Sequence, residues 1–158
     1  MLESPDNPMA YISKKWETIY DALCRGDSIF DQMTNLFTLC ATIGHQNENP
    51  SQLENRKGIF RWTNLNPETD VAVLTAIAWE SQERDLAVLP NRKKIMDLAC
   101  EFAEGGMQYL YDNFFEDYMQ NGQLIRPDKL DIEFNLAQII EGLRQQKGIL
   151  KNDQARSH

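Results

Sequence analysis

Apolar side chains recur every three or four residues along most of this chain, which is the spacing of helices with one buried face. The first such pattern begins at Met9, and the second, over 29–43, is apolar around most of its circumference. That second pattern predicts a central helix that ends at Gly44. Three further helical patterns follow, over residues 71–78, 95–118 and 132–143.

Residues that cap or interrupt helices divide these patterns. Asn66 and Pro67 suit the cap and the first position of the third helix. Gly105 and Gly106 interrupt the fourth, where each costs roughly 1 kcal/mol relative to alanine, so they indicate a kink, a break or a close backbone approach. Residues 58–63 are β-branched and aromatic, as in a lone edge strand or an extended segment packed on helices.

The chain shows neither the strand–helix alternation of an α/β sheet nor a repeating unit. We therefore expect an all-α fold, an irregular single-domain bundle of five or six helices with at most a short hairpin. The expected organisation is a flexible leader over 1–8, a helical domain over 9–150 and a flexible polar tail over 151–158.

The composition is that of a globular protein, with 42% hydrophobic and 25% charged residues among 158. The N-terminus lacks the pattern of a signal peptide, and no apolar run approaches the roughly 18 residues of a membrane span. The three cysteines, Cys24, Cys40 and Cys100, each lie in an apolar helical pattern, as reduced buried thiols do. We expect a cytoplasmic protein without membrane contact.

The sequence contains no phosphate-binding loop, dinucleotide fingerprint or nucleophile elbow. Its two histidines, His45 and His158, lack partners at metal-ligand spacing. The carboxylate pairs over 80–83 and 101–104 are interpreted as solvated helix faces, because no Glu-x-x-His pair accompanies them. We therefore predict no catalytic residue, no cofactor and no metal, and a protein that is not an enzyme.

Acidic residues outnumber basic ones by 24 to 16, giving a net charge of −8, which argues against general coating of nucleic acid. The charges are nevertheless clustered, so the pattern predicts two interaction surfaces. The basic and aromatic one, for a partner protein or for DNA, comprises Arg56, Lys57, Arg61, Trp62, Arg92, Lys93 and Lys94. The acidic one, for a basic partner, comprises Asp112, Glu116 and Asp117.

Several segments in order resemble a small family associated with bacterial DNA phosphorothioation (Dnd) gene systems. They are the run over 37–45 that precedes a polar loop, the pair Ile59–Phe60, the block over 76–89 and the segment Phe102-Ala103-Glu104-Gly105-Gly106-Met107. Phe102, Glu104 and Met107 depart from the tyrosine, asparagine and leucine of the family's pattern. Gly105 and Gly106 are carried over as a family signature of structural meaning, and the resemblance lends no catalytic residue.

The resemblance implies a role beside sulfur modification of DNA or the linked restriction of unmodified phage and plasmid DNA. We accordingly expect a non-catalytic accessory or adaptor protein of an antiviral modification and restriction system, which binds a larger protein subunit. Direct contact with DNA and homo-oligomerisation stay open at this point. The alternative is an acidic DNA mimic or a regulatory inhibitor of a nucleic-acid enzyme.

Overall fold

A computed structural model describes residues 6–24, 30–124, 136–138 and 141–142. The chain divides into two compact units, Met1–Ile125 and Arg126–His158. In the second unit the described residues, 136–138 and 141–142, are helical. The predicted tail over 151–158 and most of the predicted last helix lie outside the described residues. The account below concerns the first unit.

The described part of the first unit contains α-helices, short strands and 3₁₀ turns. The helices are α1 (Glu17–Cys24), α2 (Met33–Gln46), α3 (Asp70–Ser81) and α4 (Arg92–Asn113). The strands are β1 (Met9–Ser13), β2 (Arg56–Arg61), β3 (Met119–Gln120) and β4 (Gln123–Leu124). The 3₁₀ turns are Lys14–Trp16, Trp62–Asn64, Leu86–Val88 and Phe115–Tyr118.

The prediction of an all-α fold is wrong, because the helices are accompanied by two small antiparallel sheets. The segment that begins at Met9 is strand β1, which pairs with β2 in a register that joins Met9 to Arg61 and Ser13 to Arg56. Ala10 and Ile12 are buried while Met9 and Tyr11 are half-buried, which is the alternation of a strand. So short an apolar run is compatible with both the helical and the strand period, and pairing with a distant segment decides which structure forms.

The second sheet is a hairpin of β3 and β4 joined by Asn121 and Gly122. Both residues have positive φ, 53° and 77°, as the two central residues of a type I′ turn require. The sequence interpretation treated Gly122 only as the end of a helical pattern. The Asn-Gly pair is a strong local signal for a hairpin, and it could have predicted this one.

Helices α2 and α4 form the centre of the core, and glycines let their backbones approach closely. A Cβ atom at Gly44 would overlap the carbonyl oxygen of Phe102, and one at Gly106 would overlap that of Cys40. At Gly105 the overlap would be with the carbonyl oxygen of Asn49. Helix α4 runs without a break through both glycines. Of the meanings predicted for this pair, close backbone approach is therefore the one observed.

The start of α3 follows the predicted capping chemistry, although the regular helix begins later. Asn66 Oδ1 accepts hydrogen bonds from the N–H groups of Glu68 and Thr69, at 2.9 and 3.2 Å. The carboxylate of Asp70 accepts one from the Asn66 N–H at 3.0 Å. These reciprocal bonds orient α3, whose first turn borders the cleft described next.

Candidate docking cleft

An open cleft of about 870 Å³ lies where α4 begins, facing the turn before α3. We call it the Trp62–Arg92 cleft. Its walls are Asp6, Trp62, Thr63, Leu65, Pro67, Val71, Thr75, Leu89, Pro90 and Arg92. The lining mixes apolar side chains with polar and charged ones, so an occupant could make both kinds of contact.

Arg92 and Trp62 form the charged corner of this cleft. The Arg92 guanidinium carbon lies 5.4 Å from the centroid of the Trp62 ring, within the range of a cation–π contact. Arg92 Nη1 also donates to the carbonyl oxygen of Asp6 at 2.9 Å. The ring is largely buried, with 7% of Trp62 exposed, whereas Arg92 is exposed. The tryptophan thus supports the arginine and leaves its charge at the surface.

Residues 6–8 are held as one wall of the cleft by hydrogen bonds to the end of β2 and the turn after it. Trp62 N–H donates to the Pro8 carbonyl at 3.0 Å, and Thr63 N–H donates to Asn7 Oδ1 at 3.0 Å. Arg61 Nη1 donates to the Asn7 carbonyl at 3.2 Å. The β1–β2 pairing thereby brings Arg61 and the α4 residue Arg92 to neighbouring carbonyl groups of this segment.

The turn Leu86–Val88 supplies an apolar border. Residues three apart eclipse one another in a 3₁₀ helix, so Leu86 and Leu89 project on the same side. Their exposed fractions are 68% and 43%, while Val88 between them is buried. Asp85 caps the turn by accepting from the Ala87 N–H at 2.9 Å. The leucines are therefore held at the surface by a turn whose other face packs into the core.

The structure does not gather the predicted basic surface into one patch. Trp62 and Arg92 line the cleft and Arg61 bonds to the adjacent Asn7 carbonyl. Arg56, in contrast, lies at the opposite end of β2 with Lys57, about 17 Å from Arg61 at the rise of a strand. The guanidinium of Arg56 lies 5.7 Å from the Tyr11 ring centroid.

The remaining predicted cations, Lys93 and Lys94, lie in the first turn of α4 next to Arg92. Lys93 Nζ is 2.7 Å from Asp97 Oδ1, one turn further along the helix. The side chain of Lys94 is exposed, and its N–H donates to the capping Asn91 side chain at 3.0 Å. Lys94 therefore adds charge beside the cleft without being held by it.

The predicted acidic residues lie at the other end of α4. Asp112 is exposed in its last turn and accepts from Gln108 Nε2 at 2.9 Å, and Glu116 and Asp117 are exposed on the following 3₁₀ turn. At 1.5 Å per residue, the helix separates Asp112 from Arg92 by about 30 Å, and Glu116 and Asp117 follow the end of the helix at Asn113. The acidic and cationic surfaces are thus at opposite ends of one rigid element.

The described residues hold no group of three or more histidine, cysteine or acidic side chains that could bind a metal ion. His45 lies at the end of α2, with Nε2 3.9 Å from Glu80 Oε2 and its ring at the edge of Phe102. His158 is outside the described residues. Nor does any described helix have the length and apolar character needed to cross a membrane.

The cysteines have the chemistry of core residues. Burial raises the pKa of the Cys24 and Cys40 thiols to about 12 and that of Cys100 to about 11. At neutral pH all three thiols are therefore protonated, and a protonated thiol is a weak nucleophile.

Glu104 contradicts the interpretation of the 101–104 pair as a solvated face. Its side chain is buried, and Oε1 accepts a hydrogen bond of 2.6 Å from Ser13 Oγ on β1. Ser13 Oγ in turn accepts from the Glu54 N–H at 2.9 Å. Sequence reasoning missed this link because nothing local to α4 signals that a strand will cover it.

No protein-family model, curated protein or solved structure matches this chain. The resemblance to the phosphorothioation-associated family stays a prediction that depends on the short segments quoted for it.

Proposed function

We propose that this chain is a non-catalytic adaptor that docks a partner protein in the Trp62–Arg92 cleft. The observation that carries the proposal is the convergence of exposed Arg92, its supporting Trp62 and exposed Leu89 at one open cleft. Arginine and tryptophan beside exposed apolar side chains are enriched where proteins bind one another.

The charge of the cleft favours an acidic, partly apolar segment as its occupant. Arg61 and Arg92 donate to main-chain carbonyls, which leaves their positive charge uncompensated by those bonds, and Lys94 adds a third cation nearby. Asp6 provides a carboxylate on the wall of the cleft. A partner segment that presents an acid beside a leucine-sized side chain would place the acid near Arg92 and the apolar side chain against Leu89.

A protein partner is favoured over DNA by the arrangement of the same residues. DNA-binding surfaces spread cations over successive phosphates, whereas here Arg56 and Lys57 are separated from the cleft by the length of β2. The Trp62 ring is packed beneath Arg92 and buried, so it offers no open face for stacking on a base.

The wider role follows from the sequence resemblance and remains part of the proposal. It is that of a cytoplasmic accessory to a larger subunit in a system that modifies DNA with sulfur or restricts unmodified DNA.

Photo-crosslinking from inside the cleft tests the proposal. A benzophenone amino acid replaces Leu89 in the full chain within its native host, and a matched variant carries it at Gln52, which is exposed in the loop before β2. We expect a discrete protein adduct at position 89 that survives nuclease treatment and is lost when Arg92→Glu is added. Equal crosslinking at both positions, or adducts that disappear with nuclease, would contradict the proposal.

A further inference from the structure

Helix α4 carries charges of the unfavourable sign at both ends. A helix N-terminus is electropositive and a C-terminus electronegative, yet the first turn holds Arg92, Lys93 and Lys94. Asp112 stands in the last turn, and Glu116 and Asp117 follow directly. Lys93 is paired with Asp97 one turn along the helix, so the charge left over at the first turn is that of Arg92 and Lys94.

These two charged ends cannot neutralise each other within one molecule. About 30 Å of helix separates Arg92 from Asp112, several times the Debye length of about 8 Å at physiological salt. The chain has no lysine or arginine between Lys94 and Arg126, so the acids at the end of α4 have no basic neighbour along that stretch of sequence. A second molecule of this chain, in contrast, would present the complementary charge.

The two ends are also matched in their apolar groups. Exposed Leu89 lines the cleft at the basic end, and exposed Leu86 lies three residues before it at the start of the 3₁₀ turn. At the acidic end Tyr118 and Met119 are half-buried next to exposed Glu116 and Asp117. This end thus presents acids beside a partly exposed apolar side chain, which is the chemistry that the Trp62–Arg92 cleft suits.

We propose that the acidic end of α4 in one molecule docks in the Trp62–Arg92 cleft of a second copy. The two surfaces are different, so the contact is heterologous, and its repetition builds head-to-tail chains or a closed ring. This inference rests on the proposed function, because it requires that the Trp62–Arg92 cleft docks a protein segment. A partner protein and a second copy would compete for that cleft.

Sedimentation velocity of the full chain, from micromolar to near-millimolar concentration, tests the contact. We expect concentration-dependent association in about 0.02 M salt that weakens at about 0.3 M, because the attraction joins exposed charges. A wild-type chain that sediments as a monomer throughout this range in low salt would overturn the proposal.

Charge reversal at each end should weaken association at least about tenfold, because like charges would then face each other. The variants are Arg92→Glu/Lys94→Glu at the cleft and Glu116→Lys/Asp117→Lys at the acidic end. Glu48→Lys/Glu54→Lys is the matched control for the acidic-end variant, since both residues are exposed in the loop before β2 and the change of net charge has the same sign and size. Association that tolerates both reversals, or that the control reduces equally, contradicts the contact.

Mixing the two reversal variants is the decisive arm. One variant is acidic at both ends and the other basic at both ends, so an equimolar mixture should associate more strongly than either variant alone. A mixture that stays monomeric overturns the proposal. Circular dichroism verifies folding, and if Arg92→Glu/Lys94→Glu is unfolded, Leu89→Asp replaces it with loss of association as its expected result. Monomers that still crosslink to a host protein through position 89 would refute self-docking and leave the proposed function intact.

Discussion

Gly106 on α4 faces the main-chain carbonyl of Cys40 on α2 so closely that a Cβ atom on the glycine would overlap the carbonyl oxygen. This position differs from an ordinary tight contact, because the obstructing atom belongs to a helix backbone and not to the end of a flexible side chain. The two helices can approach this closely only while residue 106 has no side chain.

Replacing Gly106 with alanine should therefore destabilise the protein strongly, although alanine is the better helix former. We expect a loss of about 3 kcal/mol or more in the free energy of unfolding, since the helices must move apart. Urea unfolding followed by circular dichroism measures it. The matched control is Gly142→Ala, at a helical glycine with open space around it, which should be neutral or slightly stabilising. Equal effects of the two substitutions would argue against the close approach.

Ser13→Ala should destabilise the protein, because it removes the hydrogen-bond partner of the buried Glu104 carboxyl group. The substitution removes the hydroxyl that donates to Glu104 Oε1 and accepts from the Glu54 N–H. Glu104 Oε2 already lacks a hydrogen-bond partner among the described residues, so the whole carboxyl group would be buried unsatisfied. We expect a loss of about 1–3 kcal/mol by urea unfolding.

Ser81→Ala is the control for this prediction, because Ser81 Oγ donates only to the Ala78 carbonyl within its own helix. A loss at Ser13 no larger than that at Ser81 would show that the serine is not needed to hold the buried carboxyl.

The buried thiols should make the protein less stable in alkali. The pKa of Cys40 is raised from 9.0 to about 12 and that of Cys100 to about 11, chiefly by burial. Above pH 9 the unfolded chain releases protons that the folded chain retains, so rising pH lowers the free energy of the unfolded state relative to the folded state. Stability is fully present below pH 9 and falls towards pH 11, by up to about 1.4 kcal/mol per pH unit for each thiol.

Denaturation at a series of pH values between 8 and 11 measures this slope. Cys40→Ala removes one titrating thiol and should make the slope shallower, whatever it does to stability at pH 8. An unchanged slope in the variant would mean that Cys40 does not contribute to the alkaline loss.

Gly122→Val should disrupt the hairpin of β3 and β4. Gly122 has φ of 77°, a conformation in which a β-branched residue is strained, and a Cβ there would meet open space. We expect a loss of about 1–2 kcal/mol from the backbone alone. Gly122→Asn, which tolerates this conformation better, should lose less. Equal losses for valine and asparagine would contradict the role of the positive φ.

Local sequence patterns were sufficient for the helical parts of this molecule. The apolar period predicts the segments that become α2, α3 and α4, and the capping residue Asn66 acts where its chemistry indicates. Positive φ at Asn121 and Gly122 also follows from local preference, although the hairpin was overlooked. These features depend on residues within about one turn of each other, so the local sequence is enough to predict them.

Tertiary structure decided whatever depends on distant partners. Met9–Ser13 is a strand because Arg56–Arg61 lies beside it, and Glu104 is buried because Ser13 covers it. Tertiary structure also separates the predicted basic residues. Trp62 follows the end of β2 and contacts Arg92, whereas Arg56 lies at the other end of that strand. A short apolar or charged segment has the same pattern whichever neighbour it meets, and only the folded chain selects that neighbour.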